Sequence, residues 1–99
     1  MNQDTTATAS RRMLVIDDEE SICHAFRRFF ERRGWRVHTA ATGARGLATL
    51  RREGADVVFL DVRLPDVDGL QLLDTIAEDA PETPVVVISA YGSLQTVTQ

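Results

Sequence analysis

One short run, Ala55-Asp56-Val57-Val58-Phe59-Leu60-Asp61, most constrains what this chain can fold into. Four consecutive apolar residues, two of them β-branched, stop at a carboxylate. An apolar run of this length without alternation is a strand buried on both faces, the habit of a parallel sheet. Asp61 then stands at the carboxyl end of a buried strand, where open α/β sheets bind their ligands. A second run, Met13 to Ile16, ends the same way, in Asp17 and Asp18. Two buried strands deliver acid to one sheet edge, and that must be accounted for.

The segments between these strands read as helices. Ile22, Ala25, Phe26, Phe29 and Phe30 recur at helical spacing, predicting an amphipathic helix from Ser21 to Arg33. Its other face carries Arg27, Arg28, Glu31, Arg32 and Arg33, read as a solvated face. Ser21 or a neighbouring acid is the expected cap, and Gly34 the stop. Trp35 to Ala40 alternates apolar and polar, which predicts a half-exposed edge strand. Thr42 is the expected cap of a helix from Gly43 to Glu53, ended by Gly54. After Asp61, a loop from Val62 to Gly69 leads into a helix from Leu70 to Ala80. Pro81 and Pro84 break the chain, Val85 to Ile88 forms a fourth buried strand ending at Ser89, and Tyr91-Gly92 turns. Ser93 to Gln99 is expected to begin a further helix. Strand and helix alternate at short spacing, so the fold class is α/β, a parallel sheet with helices on both faces and right-handed crossovers.

Composition narrows the functional classes. Ninety-nine residues allow one domain, and a net charge of −4 argues against a general nucleic-acid surface. All eleven basic residues are arginine. The lone Cys23 has no internal partner and reads as a reduced structural thiol. His24 and His38 do not stand at metal-ligand spacing with each other or with Cys23. No apolar run approaches the roughly 20 residues of a membrane span. Met1 to Arg11 is polar, lacks the apolar core of a secretory signal and reads as a disordered tail, so a cytoplasmic setting is the default.

Three strands are expected to end at one edge, in Asp17-Asp18, Asp61 and Ser89. If these strands are neighbours, the carboxylates repel, so one takes up a proton or a cation binds. Carboxylate, carbonyl and water oxygens suit Mg²⁺. Acids, Mg²⁺ and a hydroxyl are the components of phosphoryl transfer, with a carboxylate as acceptor. The competing explanation makes Asp17 and Asp61 turn or cap residues. It suits either one alone better than all three strand ends together.

Met13-Leu14-Val15-Ile16-Asp17-Asp18-Glu19-Glu20, Val58 to Gly69 (VFLDVRLPDVDG) and Pro84 to Gly92 (PVVVISAYG) together resemble the receiver domain of two-component response regulators. The resemblance covers residues 12–99, and Ser89-Ala90-Tyr91-Gly92-Ser93 looks most like the nitrogen-regulation type, whose receivers usually precede an ATPase domain. It implies a flavodoxin-like, doubly wound sheet of strand order 2-1-3-4, with the family's fifth strand and helix missing. It implies a phosphoacceptor that is not a turnover enzyme and takes a phosphoryl group from a sensor histidine kinase onto Asp61. Asp18 would ligate Mg²⁺ directly and Asp17 largely through water, while the backbone carbonyl of Arg63 would complete the metal site. Ser89 would bond the phosphoryl oxygens, with the small Ala90 leaving room beside it. Pro65 and Gly69 would shape the loop after Asp61. The first-helix arginines lie where kinases of this family dock, and Tyr91 would belong to a signalling face.

The family's fifth strand ends in a lysine, and this sequence holds none. An arginine standing in for it would not be equivalent, and the sequence offers none at the expected place. The chain is therefore read as a fragment of a longer regulator with an effector domain, or as a degenerate receiver. A degenerate form would act as an interaction or dimerisation module, its Val85 to Ile88 strand an exposed edge. A Mg²⁺-dependent phosphatase with an aspartyl nucleophile is a weaker rival, because position 19 is Glu19.

Overall fold

The computed structural model describes residues 11–88 and the backbone of 94–97. The element order is β1 (Arg12–Ile16), α1 (Glu20–Glu31), β2 (Arg36–Ala40), α2 (Gly43–Glu53), β3 (Val57–Asp61), α3 (Gly69–Asp79), β4 (Val85–Ile88) and β5 (Leu94–Val97). The strands form one sheet in the order β2-β1-β3-β4-β5. The first four are parallel, as expected, and β2 lies at the edge.

Two elements differ from the sequence reading. The helix expected from Ser93 to Gln99 is a strand over Leu94–Val97, antiparallel to β4 with Val85 opposite Val97 and Ile88 opposite Leu94. The edge expected to be open at Val85–Ile88 is therefore covered by β5. The physical reason is hydrogen bonding: a buried apolar strand leaves a row of unpaired amides and carbonyls, and a β-prone segment a few residues on satisfies them. The expectations for Met1–Ser10 and for Ser89, Ala90, Tyr91 and Gly92 lie outside the described residues. Arg11 is ordered: its carbonyl accepts from the Arg36 amide at 2.8 Å and its guanidinium lies 5.8 Å from the Trp35 ring centroid.

Alternation along the strands sorts side chains between two faces. Leu14, Ile16, Val58, Leu60 and Val85 point to one face, under Leu50 of α2 and Leu72 and Ile76 of α3. Met13, Val15 and Val37 point to the other, against Cys23, Phe26 and Phe30 of α1, with Trp35, Val57 and Phe59 packed beside them. The helix α1 turns a narrower face inward than its apolar pattern predicts, leaving Phe29 49% exposed.

The helix ends follow local rules with one exception. Thr42 caps α2, its hydroxyl accepting from the Arg45 amide at 3.2 Å, and Gly54 closes that helix at φ +70°. Asp68 caps α3, accepting from the Leu70 amide at 2.8 Å. No side chain caps α1. Its N-terminus is held instead through the backbone, the Glu19 carbonyl accepting from the amides of Ile22 and Cys23 at 3.1 and 3.2 Å. Gly34, at φ +88°, turns the chain out of α1 towards β2.

Candidate functional site

The parallel sheet brings the carboxyl ends of β1 and β3 side by side, with Ile16 opposite Leu60. Asp17 follows directly on β1, and its amide donates to the Ala40 carbonyl at 3.0 Å, extending the β1–β2 ladder by one residue. Asp61 is the last residue of β3. Carboxylate oxygens of Asp17, Asp18 and Asp61 all lie within 4.8 Å of one another. Among the described residues no other group of three or more potential metal ligands is this close.

The three acids differ in their surroundings. Asp17 is buried, only 3% exposed, while Asp61 is half-buried and Asp18 is open to solvent. The Glu19 amide donates to Asp17 Oδ1 at 2.9 Å, and the Cys23 thiol donates to the Asp17 carbonyl at 3.3 Å. Burial pushes the Asp17 carboxyl up from 3.8 to about 6, and the charges of Asp61, Glu19 and Asp18 push it the same way, against the Glu19 hydrogen bond. Burial likewise raises the Cys23 thiol, helped by the charge of Asp17. A buried carboxylate among like charges is relieved by a proton or by a cation. A small oxygen-seeking dication therefore fits this donor set, as the sequence anticipates for Mg²⁺.

Asp61 is oriented by its own loop. The Arg63 amide donates to Asp61 Oδ1 at 2.9 Å, so the backbone of Arg63 lies against the carboxylate. The loop is closed by a bridge between Arg63 and Asp68 and by the Gly69 amide donating to the Val62 carbonyl at 3.3 Å. A Cβ at Gly69 would run into the Val62 backbone, so this close approach requires glycine.

Two features of the site escape sequence reading. Asp66 accepts from the amides of Gly43 and Ala44 at 2.8 and 3.0 Å, tying the loop after β3 to the N-terminus of α2. Those bonds hold its carboxyl below the usual carboxylate range. Arg45, in the first turn of α2, lines a cleft of about 270 Å³ together with Asp17, Asp18 and Glu20. Both links join residues more than twenty positions apart, and no local pattern marks them. Of the candidate residues, Asp17, Asp18 and Asp61 are brought together and Arg63 adjoins them, while Ser89 lies outside the described residues.

Residues 13–99 match the model of the response regulator receiver domain. The chain belongs to that family. It is 36% identical over 95 residues to the transcriptional activator protein PfeR of Pseudomonas aeruginosa, covering 96% of this chain and 31% of PfeR. The regulatory protein AtoC of Escherichia coli, a regulator of the nitrogen-regulation type, is 30% identical over 92 residues, covering 93% of this chain and 20% of AtoC. The chain thus spans about a third or less of these relatives. Among solved structures, a response regulator from Burkholderia pseudomallei with a phosphorylated aspartic acid, a calcium ion and citrate superposes with a TM-score of 0.78. It is 28% identical, and the match covers 85% of this chain and 49% of that one. The nitrogen-regulation resemblance drawn from the sequence stands with AtoC, and the α/β receiver fold and its 2-1-3-4 strand order stand with the solved receiver structures. No described helix is long and apolar enough to cross a membrane.

Proposed function

We propose that this chain is the phosphoacceptor receiver of a two-component system, taking a phosphoryl group from a sensor histidine kinase onto Asp61. The observation that carries the reading is the convergence of Asp17, Asp18 and Asp61 within 4.8 Å at the ends of two adjacent parallel strands. The Burkholderia relative, which carries a phosphorylated aspartic acid and a calcium ion, supports the same chemistry. Asp17, Asp18, Asp61 and the Arg63 carbonyl would hold Mg²⁺, which when bound offsets the charge that builds on the phosphoryl oxygens.

The transfer itself belongs to the protein's own groups. An Asp61 oxygen forms a bond to phosphorus in line as the P–N bond of the phosphohistidine breaks, and the imidazole nitrogen leaves with the bonding pair. The Arg63 amide fixes one Asp61 oxygen, so the carboxylate meets phosphorus in a set orientation. Ser89 supplies the hydroxyl that bonds the phosphoryl group. The product is an acyl phosphate that shifts a two-state surface, and the domain is not a turnover enzyme. In a longer parent protein the output passes to an effector domain or a receiver dimer, in a cytoplasmic regulator of transcription that binds no nucleic acid through this domain.

Incubation with phosphoramidate and Mg²⁺ tests the reading. Intact-mass analysis is expected to record the gain of one phosphoryl group, lost in Asp61→Asn and on chelation of Mg²⁺. Unchanged mass in the parent chain at millimolar Mg²⁺ would leave a receiver-like interaction module that accepts no phosphate.

A further inference from the structure

The loop that follows Asp61 is held from within and from outside. Bonds within it fix its shape: Arg63 bridges Asp68, the Gly69 amide donates to the Val62 carbonyl at 3.3 Å, and Asp68 accepts from the Leu70 amide at 2.8 Å. These bonds join the loop to itself and to α3, so they leave open how it lies against the rest of the sheet. Leu64 packs on the deep core and sets the loop's depth. The directional hold comes from Asp66, whose Oδ1 and Oδ2 accept from the amides of Gly43 and Ala44 at 2.8 and 3.0 Å. Among the described residues, these are the loop's only hydrogen bonds to an element other than β3 or α3.

The two bonds are charge-assisted, and the first-turn amides of a helix have no partner within it, so Asp66 is matched to this place. Two contact points on one carboxylate fix both the distance and the direction of the loop apex. The anchor itself is firm, because Gly46 and Leu50 of α2 are buried and Leu50 belongs to the deep core. A Cβ at Gly43 would run into the Val67 side chain, so helix and loop are in close contact here. Only Leu64 and Pro65 lie between Arg63 and Asp66, and proline fixes its own φ. A shift at Asp66 therefore passes along a short, stiff path to Arg63, whose amide donates to Asp61 Oδ1 at 2.9 Å.

We propose that Asp66 is a positioning residue for Asp61: by clamping the loop apex to the N-terminus of α2, it holds the Arg63 backbone against the Asp61 carboxylate. Its bearing on phosphoryl transfer rests on the phosphoacceptor reading of Asp61. Released from α2, the loop keeps its internal bonds and tilts as a unit, which carries the Arg63 backbone away from Asp61. Asp66 acts through Arg63 and takes no part in making or breaking bonds.

Three variants separate positioning from helix capping. Asp66→Ala removes both acceptors, and Asp66→Asn removes the charge but keeps one acceptor. Thr42→Ala removes the cap on the Arg45 amide, at the same helix end, with no link to the loop. The readouts are hydrogen exchange of the Arg63 amide by NMR, the second-order rate constant for Asp61 phosphorylation by phosphoramidate at saturating Mg²⁺, and the thermal midpoint. Asp66→Ala is expected to speed Arg63 exchange severalfold and to slow phosphorylation about tenfold, the usual scale when a hydrogen-bonding group that orients a site residue is removed. Asp66→Asn should recover much of both. Thr42→Ala should lower the thermal midpoint as Asp66→Ala does, yet leave exchange and phosphorylation at the parent's level. An Asp66→Ala chain at the parent's level in either readout overturns the proposal. So does an Asp66→Asn chain as impaired as Asp66→Ala, which would assign the effect to charge. A Thr42→Ala chain that loses as much as Asp66→Ala overturns it too, since Asp66 would then be a helix cap alone. A parent chain that takes no phosphoryl group defeats the Asp61 reading, while Arg63 exchange still decides whether Asp66 positions Asp61.

Discussion

The two faces of the sheet are built differently. One is aliphatic, covered by both α2 and α3, and holds Leu14, Ile16, Val58, Leu60 and Ile76 at 1% exposure or less. The other is aromatic and, among the described residues, covered by α1, a helix with no fully buried residue. Its rings pack on each other instead, with Phe26 and Phe59 centroids 4.7 Å apart and Phe30 edge-on to Trp35 at 5.9 Å. Strand alternation continues the thinner face, through Met13 and Val15 and through Val57 and Phe59, to Asp17 and Asp61. The well-covered face thus carries the stability, and the thinly covered face carries the acid cleft.

Truncating the deep face should cost most. Ile76→Ala is expected to destabilise the domain by about 2–5 kcal/mol, as a large-to-small change in a closed core, measured by urea unfolding. The comparison breaks if that figure falls below the cost of Phe26→Ala. The buried acid comes next. Asp17 has a folded pKa raised from 3.8 to about 6, so the fold favours its protonated form. Its contribution is fully present below about pH 4 and is lost as pH rises through about 6. Without divalent cation the domain should therefore lose about 2–3 kcal/mol over that window, since each pH unit separating the folded and unfolded pKa corresponds to about 1.4 kcal/mol. Asp17→Asn should flatten that slope, stabilise the metal-free domain at pH 8 and abolish the rise in thermal midpoint on adding Mg²⁺. A parent slope of the opposite sign would contradict the burial argument.

On the thin face, Phe26→Ala should cost about 1–3 kcal/mol, because a half-buried ring gives up less apolar area. An equal loss from Phe29→Ala would mean that α1 turns inward by the full width of its apolar pattern. The smallest effect belongs to the tie between the two helices of the deep face. Arg51 Nε lies 2.7 Å from Asp79 Oδ2 with the arginine well exposed. Arg51→Gln should change stability by no more than about 0.5 kcal/mol. A larger loss would make α2–α3 docking depend on charge as well as on Leu50, Leu72 and Ile76.

Much of this was legible in the chain because it is local. Short apolar runs ending in acid mark buried parallel strands, Thr42 and Gly54 bracket a helix, and Asp17, Asp18 and Asp61 follow from counting to the strand ends. The α1 cap and the inward width of α1 were not, since Ser21 and Phe29 satisfy the local rules equally well facing either way. Leu94–Val97 had too little context to separate helix from strand, and pairing with β4 decided it.

By itself the sequence determined which residues alternate, where each strand stops and which acids stand at the stops, since backbone geometry converts those spacings directly into positions. Tertiary structure decided that the acids meet within 4.8 Å, that Asp17 alone is buried, that Asp66 clamps α2 and that Arg45 overlooks the cleft. Each of those depends on strand order and on how much water one covering helix excludes, and neither quantity is written in any local stretch of the chain.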